Sequence, residues 1–330
     1  MENDAPPPAA VQRVIAAAEQ LHRYPRGPLA EVTRLAAAHL GVGPACVLLT
    51  ASAEEAVDLA LTLAERAWTV HPGHAYPYRA TGHGTPFGRI PLGPDWQPAG
   101  SVDALGPADL VILAQPAIPT GNLFDPDWIA AARAAAGHVL LDESYQAYSS
   151  RPGLAAEAAE DEGLLVYRSL TRGLRLNGVR VGCLVGAPAT IAGLADRRRF
   201  MSIDTISLNA VAGVLAGPDP ATGTAARVVA ERAVWTALLR HCGDIAEVRD
   251  TETDFLMART HPGTGAGLAA ALAKADIDTE PCDAAGLPGW LRIGVGIGAG
   301  ERDRLRAALG LADPDRSAST DPATAGAAAC

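Results

Sequence analysis

The sequence places ionisable side chains directly after short apolar runs, where a folded chain holds them at the end of a strand. Asp142 follows the run 138–141 and precedes Glu143, Ser144 and Tyr145. A carboxylate at the end of a buried strand is unfavourable unless a cation lies beside it. Asp142 therefore predicts a cationic partner, most simply a protonated ring nitrogen or a metal ion, with a structural ion pair as the alternative.

A second group of residues has the chemistry of an anion site. Ser169 and Thr171 follow the apolar run 164–167, with Arg172 next and Arg180 shortly after. Hydroxyl and guanidinium groups are strong hydrogen-bond donors to carboxylates and phosphates. This segment therefore predicts that an anion binds near the end of a strand.

Two further positions have two interpretations each. Ser52 and Ala53 begin a predicted helix over residues 53–66, and free N–H groups at a helix N-terminus bind phosphate. Such a turn more often only connects a strand to a helix. Arg292 lies within the apolar run 290–293, either as an edge residue or as a clamp for a ligand carboxylate.

The elements that must position these side chains alternate between short apolar runs and helical patterns. Strands are predicted at residues 47–49, 68–70, 110–113, 138–141, 164–167 and 179–185, and helices at 11–21, 29–40, 53–66 and 126–136. This alternation indicates an α/β protein with a mainly parallel sheet covered on both faces. Ligands of such sheets bind beyond the carboxyl ends of the strands.

A smaller α+β unit is predicted towards the C-terminus. A long helical region over 190–239 precedes strands at 254–258 and 290–295 and helices at 265–274 and 301–309. We divide the chain into an N-terminal arm and helix (1–30), a large α/β domain (31–220), a small domain (221–311) and a disordered tail (312–330).

Composition excludes several classes of protein. Of the 330 residues, 48% are hydrophobic, and the formal net charge of −10 without a basic run disfavours a nucleic-acid partner. No apolar run is long enough to span a membrane, and the N-terminus has no signal-peptide pattern, so we expect a cytoplasmic protein. The five scattered cysteines favour reduced thiols over disulfides or a zinc site.

Six short motifs in this order resemble the class I/II aminotransferase family, and most closely its histidinol-phosphate aminotransferase and threonine-phosphate decarboxylase branch. They are His22-Arg23-Tyr24-Pro25, Pro119-Thr120-Gly121, Asp142-Glu143-Ser144-Tyr145, Arg168-Ser169-Leu170-Thr171, Gly178-Val179-Arg180-Val181-Gly182 and Leu291-Arg292-Ile293. The resemblance runs from about residue 2 to about residue 311. It implies the three-layer, mainly parallel large domain of pyridoxal phosphate (PLP) fold type I, with a small α+β C-terminal domain.

The resemblance also implies roles for individual residues. Asp142 would face the pyridine nitrogen of PLP, Tyr145 its phenolic oxygen, and Arg292 the substrate carboxylate. His74 stands where the family has an aromatic residue stacked on the ring, and Tyr24 would reach the phosphate of a partner subunit in a homodimer with shared active sites. The remaining phosphate ligands would be Ser169, Thr171, Arg180 and the amides of Ser52 and Ala53.

Two positions depart from the family pattern. Arg172 stands where the resemblance places the lysine that forms the Schiff base, and Ile118 stands where it places an asparagine that hydrogen-bonds the phenolic oxygen. A guanidinium stays charged and has no amine for this bond. Lys274 is the only lysine in the sequence, and it is predicted on a small-domain helix.

The departures lead to a divergent enzyme as the first hypothesis. It would act on an amino-acid-like or phosphorylated small molecule without normal transamination. It would use no PLP, or would bind PLP or pyridoxamine phosphate (PMP) non-covalently and not as an internal aldimine. Arg172, Tyr145 and His74 are the catalytic candidates, with Tyr145 or His74 moving protons.

Three alternatives remain. The chain is a non-catalytic binding subunit, or an aminotransferase or PLP decarboxylase in which Arg172 was engineered from lysine; Ile118 argues against engineering. A metal enzyme using Asp142, Glu143 and His138 is disfavoured, since adjacent strand residues point to opposite faces.

Overall fold

The computed structural model describes residues 5–74, 76–217 and 221–311, and a seven-stranded sheet forms the centre of the larger part. Its strands are β1 (Val47–Thr50), β2 (Arg66–His71), β3 (Phe87–Pro91), β4 (Asp109–Ala114), β5 (His138–Asp142), β6 (Leu164–Ser169) and β7 (Gly182–Val185). They lie in the order β1-β7-β6-β5-β4-β2-β3, and all neighbours are parallel except β7, which runs antiparallel to both β1 and β6.

The central strands are buried on both faces. Every residue of β4 is buried, as are residues 139–142 of β5. This pattern is typical of parallel strands covered by helices on each side, and it confirms the α/β class. Because β1, β5 and β6 point the same way, their carboxyl ends meet at one edge of the sheet.

Helices cover this sheet and continue into the C-terminal part. They are α1 (Pro8–Ala17), α2 (Arg26–Leu40), α3 (Ala53–Leu61), α4 (Tyr76–His83), α5 (Pro126–Ala135), α6 (Ala155–Ala158), α7 (Pro188–Ala195), α8 (Thr205–Leu215), α9 (Ala221–Arg240), α10 (Gly265–Lys274) and α11 (Ala299–Ala308). No helix among the described residues is both long and apolar enough to cross a membrane.

The start of α3 is fixed by reciprocal capping at the edge that carries the polar residues. The Ser52 Oγ accepts a hydrogen bond from the Glu55 N–H at 3.3 Å, and the Glu55 Oε2 accepts one from the Ala51 N–H at 2.5 Å. Two otherwise unpaired helix-end amides are thereby satisfied. The cap places the first turn of α3 beside the ends of β5 and β6.

Several predicted elements differ from the structure. The helical region predicted over 190–239 is divided into three helices, α7, α8 and α9. Asp204 marks a new helix start within it, because its side chain caps α8 by accepting a hydrogen bond from the Ser207 N–H at 2.8 Å. The strand predicted at 179–185 begins only at Gly182, and the helix predicted over 53–66 ends at Leu61. Strand β3 and the strands at Ile245–Arg249 and Thr279–Pro281 were not expected, and the tail predicted at 312–330 lies outside the described residues.

The C-terminal part contains an antiparallel four-stranded sheet. Its strands β8 (Ile245–Arg249), β9 (Phe255–Thr260), β10 (Thr279–Pro281) and β11 (Trp290–Gly294) lie in the order β10-β11-β9-β8. An apolar cluster joins the two sheets: Tyr145 and Tyr148, which follow β5, pack with Phe255, Met257 and Trp290. This cluster lies beside the carboxyl end of β5.

Candidate active site

A cavity of about 300 Å³ opens at this edge, between the two sheets. The predicted site residues that line it are Ser52, Ala53, His74, Ile118, Asp142, Tyr145, Ser169, Thr171, Arg172, Arg180 and Arg292. Tyr24 does not line this cavity; its ring is 71% exposed and packs edge-on against the exposed Phe200. The chain therefore brings residues from both sheets to one site.

Asp142 is a buried carboxylate that hydrogen bonds stabilise without a cation. It is 3% exposed and accepts hydrogen bonds from the Tyr76 hydroxyl at 2.5 Å, the Ser144 hydroxyl at 2.5 Å and the Ser144 N–H at 2.9 Å. Within the described part of the chain, no Arg, Lys or His nitrogen lies within 4.0 Å of it. Its Oδ2 has a single donor, so that oxygen keeps an acceptor position.

The sequence did not reveal the contact between Tyr76 and Asp142. Tyr76 is 2% exposed, and burial raises the pKa of its hydroxyl well above the ordinary value. The hydroxyl therefore stays protonated and donates to the carboxylate. Its ring packs against that of His74, with the ring centroids 4.4 Å apart.

The predicted phosphate ligands surround the first turn of α3. The Ser169 Oγ lies 3.2 Å from the Thr171 Oγ1 and accepts hydrogen bonds from the N–H groups of Arg172 at 3.1 Å and Thr171 at 3.4 Å. Arg180 forms a loose, exposed ion pair with Glu54, with 3.5 Å between nitrogen and oxygen. We refer to Ser169, Thr171, Arg180 and the first turn of α3 as the phosphate cradle. It has hydroxyl groups and one guanidinium, and the Glu54 carboxylate already lies beside that guanidinium.

Arg172 is held between the two sheets. Its Nη1 lies 3.1 Å from the Oδ2 of Asp254, and its guanidinium carbon lies 4.2 Å from the centroid of the Tyr145 ring. Burial disfavours its charge, but Tyr145 and Asp254 together raise the pKa of Arg172 above its ordinary value. Arg172 is therefore a permanent cation in the cavity.

Asp254 is a site residue that sequence reasoning missed. We expected residues 254–258 to form a strand, whereas β9 begins at Phe255 and Asp254 immediately precedes it. Asp254 is 4% exposed, and a carboxylate entering an apolar strand is the same signal that identified Asp142. Its partner lies 82 positions away, so the sequence could not pair the two.

Arg292 and His74 also line the cavity. The Nη2 of Arg292 lies 2.6 Å from the Oε2 of Glu280, which is paired with it across strands β10 and β11. Burial lowers the pKa of His74, whose Nδ1 is buried and has no hydrogen-bond partner among the described residues, so this imidazole is neutral at pH 7. Both residues, with Ile118, also line an adjoining chamber of about 620 Å³.

Tyr145 and Lys274 limit the proton chemistry of the site. Burial raises the pKa of Tyr145 to about 12, so its phenol stays protonated at neutral pH. Lys274 is exposed at the end of α10 and does not line the cavity. Among the described residues, the cavity therefore has guanidinium groups and no amine.

Glu143 points away from Asp142, as the alternation of a strand requires. It pairs with Arg168 at 3.1 Å and accepts a hydrogen bond from the Leu154 N–H at 2.7 Å, while burial raises its pKa. The structure therefore does not bring together Asp142 and Glu143, two members of the disfavoured metal set. In the described ranges, no cluster of three or more His, Cys, Asp and Glu residues could hold a metal ion.

The chain matches a family model described as aminotransferase class I and II over residues 1–309. The histidinol-phosphate aminotransferase of Paracidovorax citrulli (strain AAC00-1) is 31% identical over 284 residues, covering 78% of this chain and 76% of that protein.

Solved structures share the fold at lower identity. The histidinol-phosphate aminotransferase from Sinorhizobium meliloti, in complex with pyridoxal-5'-phosphate, has a TM-score of 0.77 at 21% identity, covering 96% of this chain and 89% of that one. The L-threonine-O-3-phosphate decarboxylase from Porphyromonas gingivalis has a TM-score of 0.79 at 17% identity, covering 91% and 94%. With the family model covering nearly its whole length, the chain belongs to the PLP-dependent class I and II aminotransferases.

Proposed function

We propose that this chain binds PMP or PLP non-covalently and acts on an amino-acid-like or phosphorylated small molecule without normal transamination. The observation that carries the proposal is Asp142: a carboxylate 3% exposed, hydrogen-bonded only by neutral donors and lining a ligand-sized cavity. A protonated pyridine nitrogen is a cation of the right size for its remaining acceptor position. When bound, the cofactor supplies an electron-withdrawing ring.

The cradle residues fit the phosphate of the same ligand. Ser169 and Thr171 present hydroxyls beside the first turn of α3, whose N-terminal amides favour an anion. Arg180 would bind the phosphate once its exposed contact with Glu54 is exchanged, which costs little because exposed ion pairs are weak. Asp142 and the cradle therefore fit both charged ends of the ligand.

The residues at the positions where the family bonds the cofactor covalently, or hydrogen-bonds its phenolic oxygen, cannot perform these functions in this chain. Arg172 takes the place of the family lysine, and a guanidinium cannot form the covalent bond or act as a base at neutral pH. Lys274 lies outside the cavity, and Ile118 cannot hydrogen-bond the phenolic oxygen. We therefore propose that Arg172 binds an anionic group of the ligand or substrate.

Among the residues that could move a proton, His74 is the better candidate. Its neutral imidazole accepts a proton at pH 7, whereas Tyr145, with a pKa raised to about 12, is a poor base there. Arg292 would hold a substrate carboxylate, as the resemblance implies. The histidinol-phosphate aminotransferase relatives support a phosphorylated amino-acid-like substrate.

We also propose that the chain works as a homodimer. The rings of Tyr24 and Phe200 lie together on the surface, 71% and 68% exposed, outside the cavity of their own subunit. A second copy would cover these rings and bring Tyr24 to the partner's phosphate cradle.

Calorimetric titration with PMP and with PLP, on the chain and on Arg172→Lys, tests the proposal. We expect both ligands to bind the unmodified chain, and borohydride reduction at neutral pH followed by mass spectrometry to find no PLP attached to it. Attachment of PLP to Lys274, or normal turnover with an amino donor, would refute the proposal. Failure of both ligands to bind either form would show that the pocket serves another ligand.

A non-catalytic binding subunit is the second candidate. It is favoured by one observation: each of the three cavity arginines already has a carboxylate of the chain beside it, as Arg172–Asp254, Arg180–Glu54 and Arg292–Glu280. Ligand binding without any product from amino acids, amino alcohols or their phosphates would favour this candidate.

A further inference from the structure

Asp254 is fixed firmly enough to determine the position of another side chain. The Thr253 Oγ1 lies 3.1 Å from both the Thr251 Oγ1 and the Phe255 carbonyl oxygen, which share its one hydrogen as acceptors. The Arg232 Nη1 donates to the Thr253 carbonyl at 3.1 Å. Asp254 therefore projects from a segment that hydrogen bonds hold on both sides.

The other contact of Arg172 is equally constrained. The Tyr145 ring, on which the guanidinium lies, packs edge-on against Phe255, with centroids 5.4 Å apart and planes at 90°. Asp254 and Phe255 are consecutive at the start of β9, so one short segment orients both sides of the guanidinium. We refer to Asp254, Tyr145 and Phe255 as the Arg172 clamp.

We infer that Asp254 is a positioning residue, which fixes Arg172 against Tyr145 as an anion-binding cation and would keep any basic side chain at position 172 charged. The inference rests on the proposed function for the identity of the anion, a phosphate or carboxylate of a PMP-like ligand. It extends that function, because the lack of a reactive amine in the cavity then depends on two residues, Arg172 and Asp254, and not on Arg172 alone.

A direct consequence concerns the reversal of Arg172 to lysine. A lysine amine beside the Asp254 carboxylate is held as an ammonium ion, because a nearby opposite charge favours the charged form. An ammonium ion is no nucleophile, so Arg172→Lys alone restores little reactivity towards PLP at neutral pH. Removing the carboxylate in Arg172→Lys/Asp254→Asn releases the amine.

The single native lysine makes this directly measurable. Reductive methylation with ¹³C-formaldehyde, carried out at alkaline pH so that the amines are deprotonated, labels two lysines in Arg172→Lys, the introduced one and Lys274, together with the N-terminal amine. Proton–carbon correlation NMR then follows both lysines as the pH is raised, with exposed Lys274 as the internal reference. We expect Asp254→Asn to lower the titration midpoint of the introduced lysine by at least about 1 pH unit, while that of Lys274 stays constant.

Other charged or titratable groups near the introduced lysine are the same in both variants. They are the Arg292 guanidinium on β11 and two titratable but neutral phenols, Tyr145 and Tyr148, after β5. The matched control is Asp278→Asn in the Arg172→Lys background, since Asp278 lines the same cavity without an ion pair to Arg172 in the structure. We expect it to move the midpoint by less than about 0.3 pH unit, because an exposed charge is screened.

A second measurement uses the ligand on otherwise unmodified protein. Asp254→Asn should weaken calorimetric PMP binding by about tenfold, because Arg172 loses a charge-assisted hydrogen bond that orients it. Asp278→Asn should change it less than about threefold. Thermal unfolding of each variant verifies that the fold is retained.

The outcomes separate this inference from the proposed function. If PMP and PLP fail to bind at all, the proposed function is wrong, but the NMR titration still reports on Asp254 because it uses no ligand. If the introduced lysine titrates at the same pH with and without Asp254, the clamp does not set the charge at position 172 and the inference is overturned. Equal shifts from Asp254→Asn and Asp278→Asn would overturn it as well.

Discussion

The two ends of the cavity balance their charges in opposite ways. At one end Asp142 is buried among neutral donors, the hydroxyls of Tyr76 and Ser144 and an N–H group. At the other, Arg172 has the chain's own carboxylate within 3.1 Å. Three hydrogen bonds stabilise a carboxylate, but they leave the net charge of a side chain that is only 3% exposed. The difference indicates that the ligand supplies the positive charge at Asp142. Its anionic groups, in contrast, must bind arginines that already have ion pairs with carboxylates of the chain.

The arginine pairs themselves differ in strength. The side chain of Asp254 is 5% exposed, whereas those of Glu54 and Glu280 are 49% and 61% exposed. Solvent screens the exposed pairs, so an incoming anion exchanges with them readily. Arg172 is thus the fixed cation of the cavity, and Arg180 and Arg292 are the adjustable ones.

The largest effect is expected from Asp142→Asn, which removes the charge at one end. The side chain keeps its shape, and its amide and carbonyl can still pair with Tyr76 and Ser144. We expect PMP binding to weaken by about 100-fold, because the pair with the ring nitrogen is lost. We expect the ligand-free protein to gain about 1–3 kcal/mol of stability, because an uncompensated buried charge is gone.

Calorimetry and denaturant unfolding of the same preparation measure both quantities. The matched control is Asp109→Asn, because Asp109 is also buried at a strand end but is paired with Arg66 at 2.7 Å. That variant should lose stability and retain PMP binding. A loss of stability in Asp142→Asn would contradict our account of this end of the cavity.

Tyr76→Phe tests the neutral donors and has the next largest effect. It deletes the hydroxyl that donates to Asp142 at 2.5 Å and leaves the charge in place. Because a hydrogen bond to a buried charged group is lost, we expect the free energy of unfolding to fall by about 2 kcal/mol, opposite in sign to Asp142→Asn. PMP affinity should change less than about tenfold. Equal stability of Tyr76→Phe and the parent protein would show that the hydroxyl does not stabilise the carboxylate.

Glu280→Gln and Glu54→Gln test the adjustable arginines. Glu280→Gln frees Arg292, and we expect succinate, as a carboxylate probe, to bind up to about fivefold more tightly at low salt. Glu54→Gln frees Arg180, and we expect the affinity for inorganic phosphate to increase by a similar factor. Glu247→Gln, which breaks ion pairs with Arg249 and Arg259 outside the cavity, is the control. Tighter binding that persists at high salt would contradict an electrostatic origin.

The sequence predicted the buried central strands of the large sheet better than its edge strand and the direction of β7. Runs such as 110–113 and 139–141 are apolar at every position, so buried parallel strands were identifiable, whereas the edge strand β3, Phe-Gly-Arg-Ile-Pro, carries no such pattern. The antiparallel direction of β7 follows from chain connections that local patterns do not encode. Strand-end residues were predicted to meet because carboxyl ends of parallel strands share an edge.

The residues that the sequence did not reveal are those whose role depends on a distant partner. Tyr76 contacts Asp142 across 66 positions, and Asp254 contacts Arg172 across 82. Neither pairing has a local signature, because even Asp254, whose position at a strand boundary is a recognisable signal, does not identify its partner from sequence. A buried ionisable residue at a strand boundary can be recognised from sequence, but its partner can be assigned only once the fold is known.

His74 lies near Asp142, Glu54 and Arg292, and it gives the smallest expected effect. Burial lowers the pKa of its folded form below that of the unfolded chain, so the unfolded state takes up a proton first as the pH falls. The stability that neutral His74 contributes is fully present above the unfolded pKa near 6.5, and it is lost as the pH falls through the lowered folded value. Replacing it by His74→Phe keeps an aromatic ring and removes the titration. We therefore expect the unmodified protein to lose more thermal stability than His74→Phe between about pH 7.5 and pH 5. His138, whose pKa burial also lowers, is present in both proteins and cancels from the comparison. A parallel pH dependence in the two proteins would mean that His74 does not bury a neutral imidazole in this cavity.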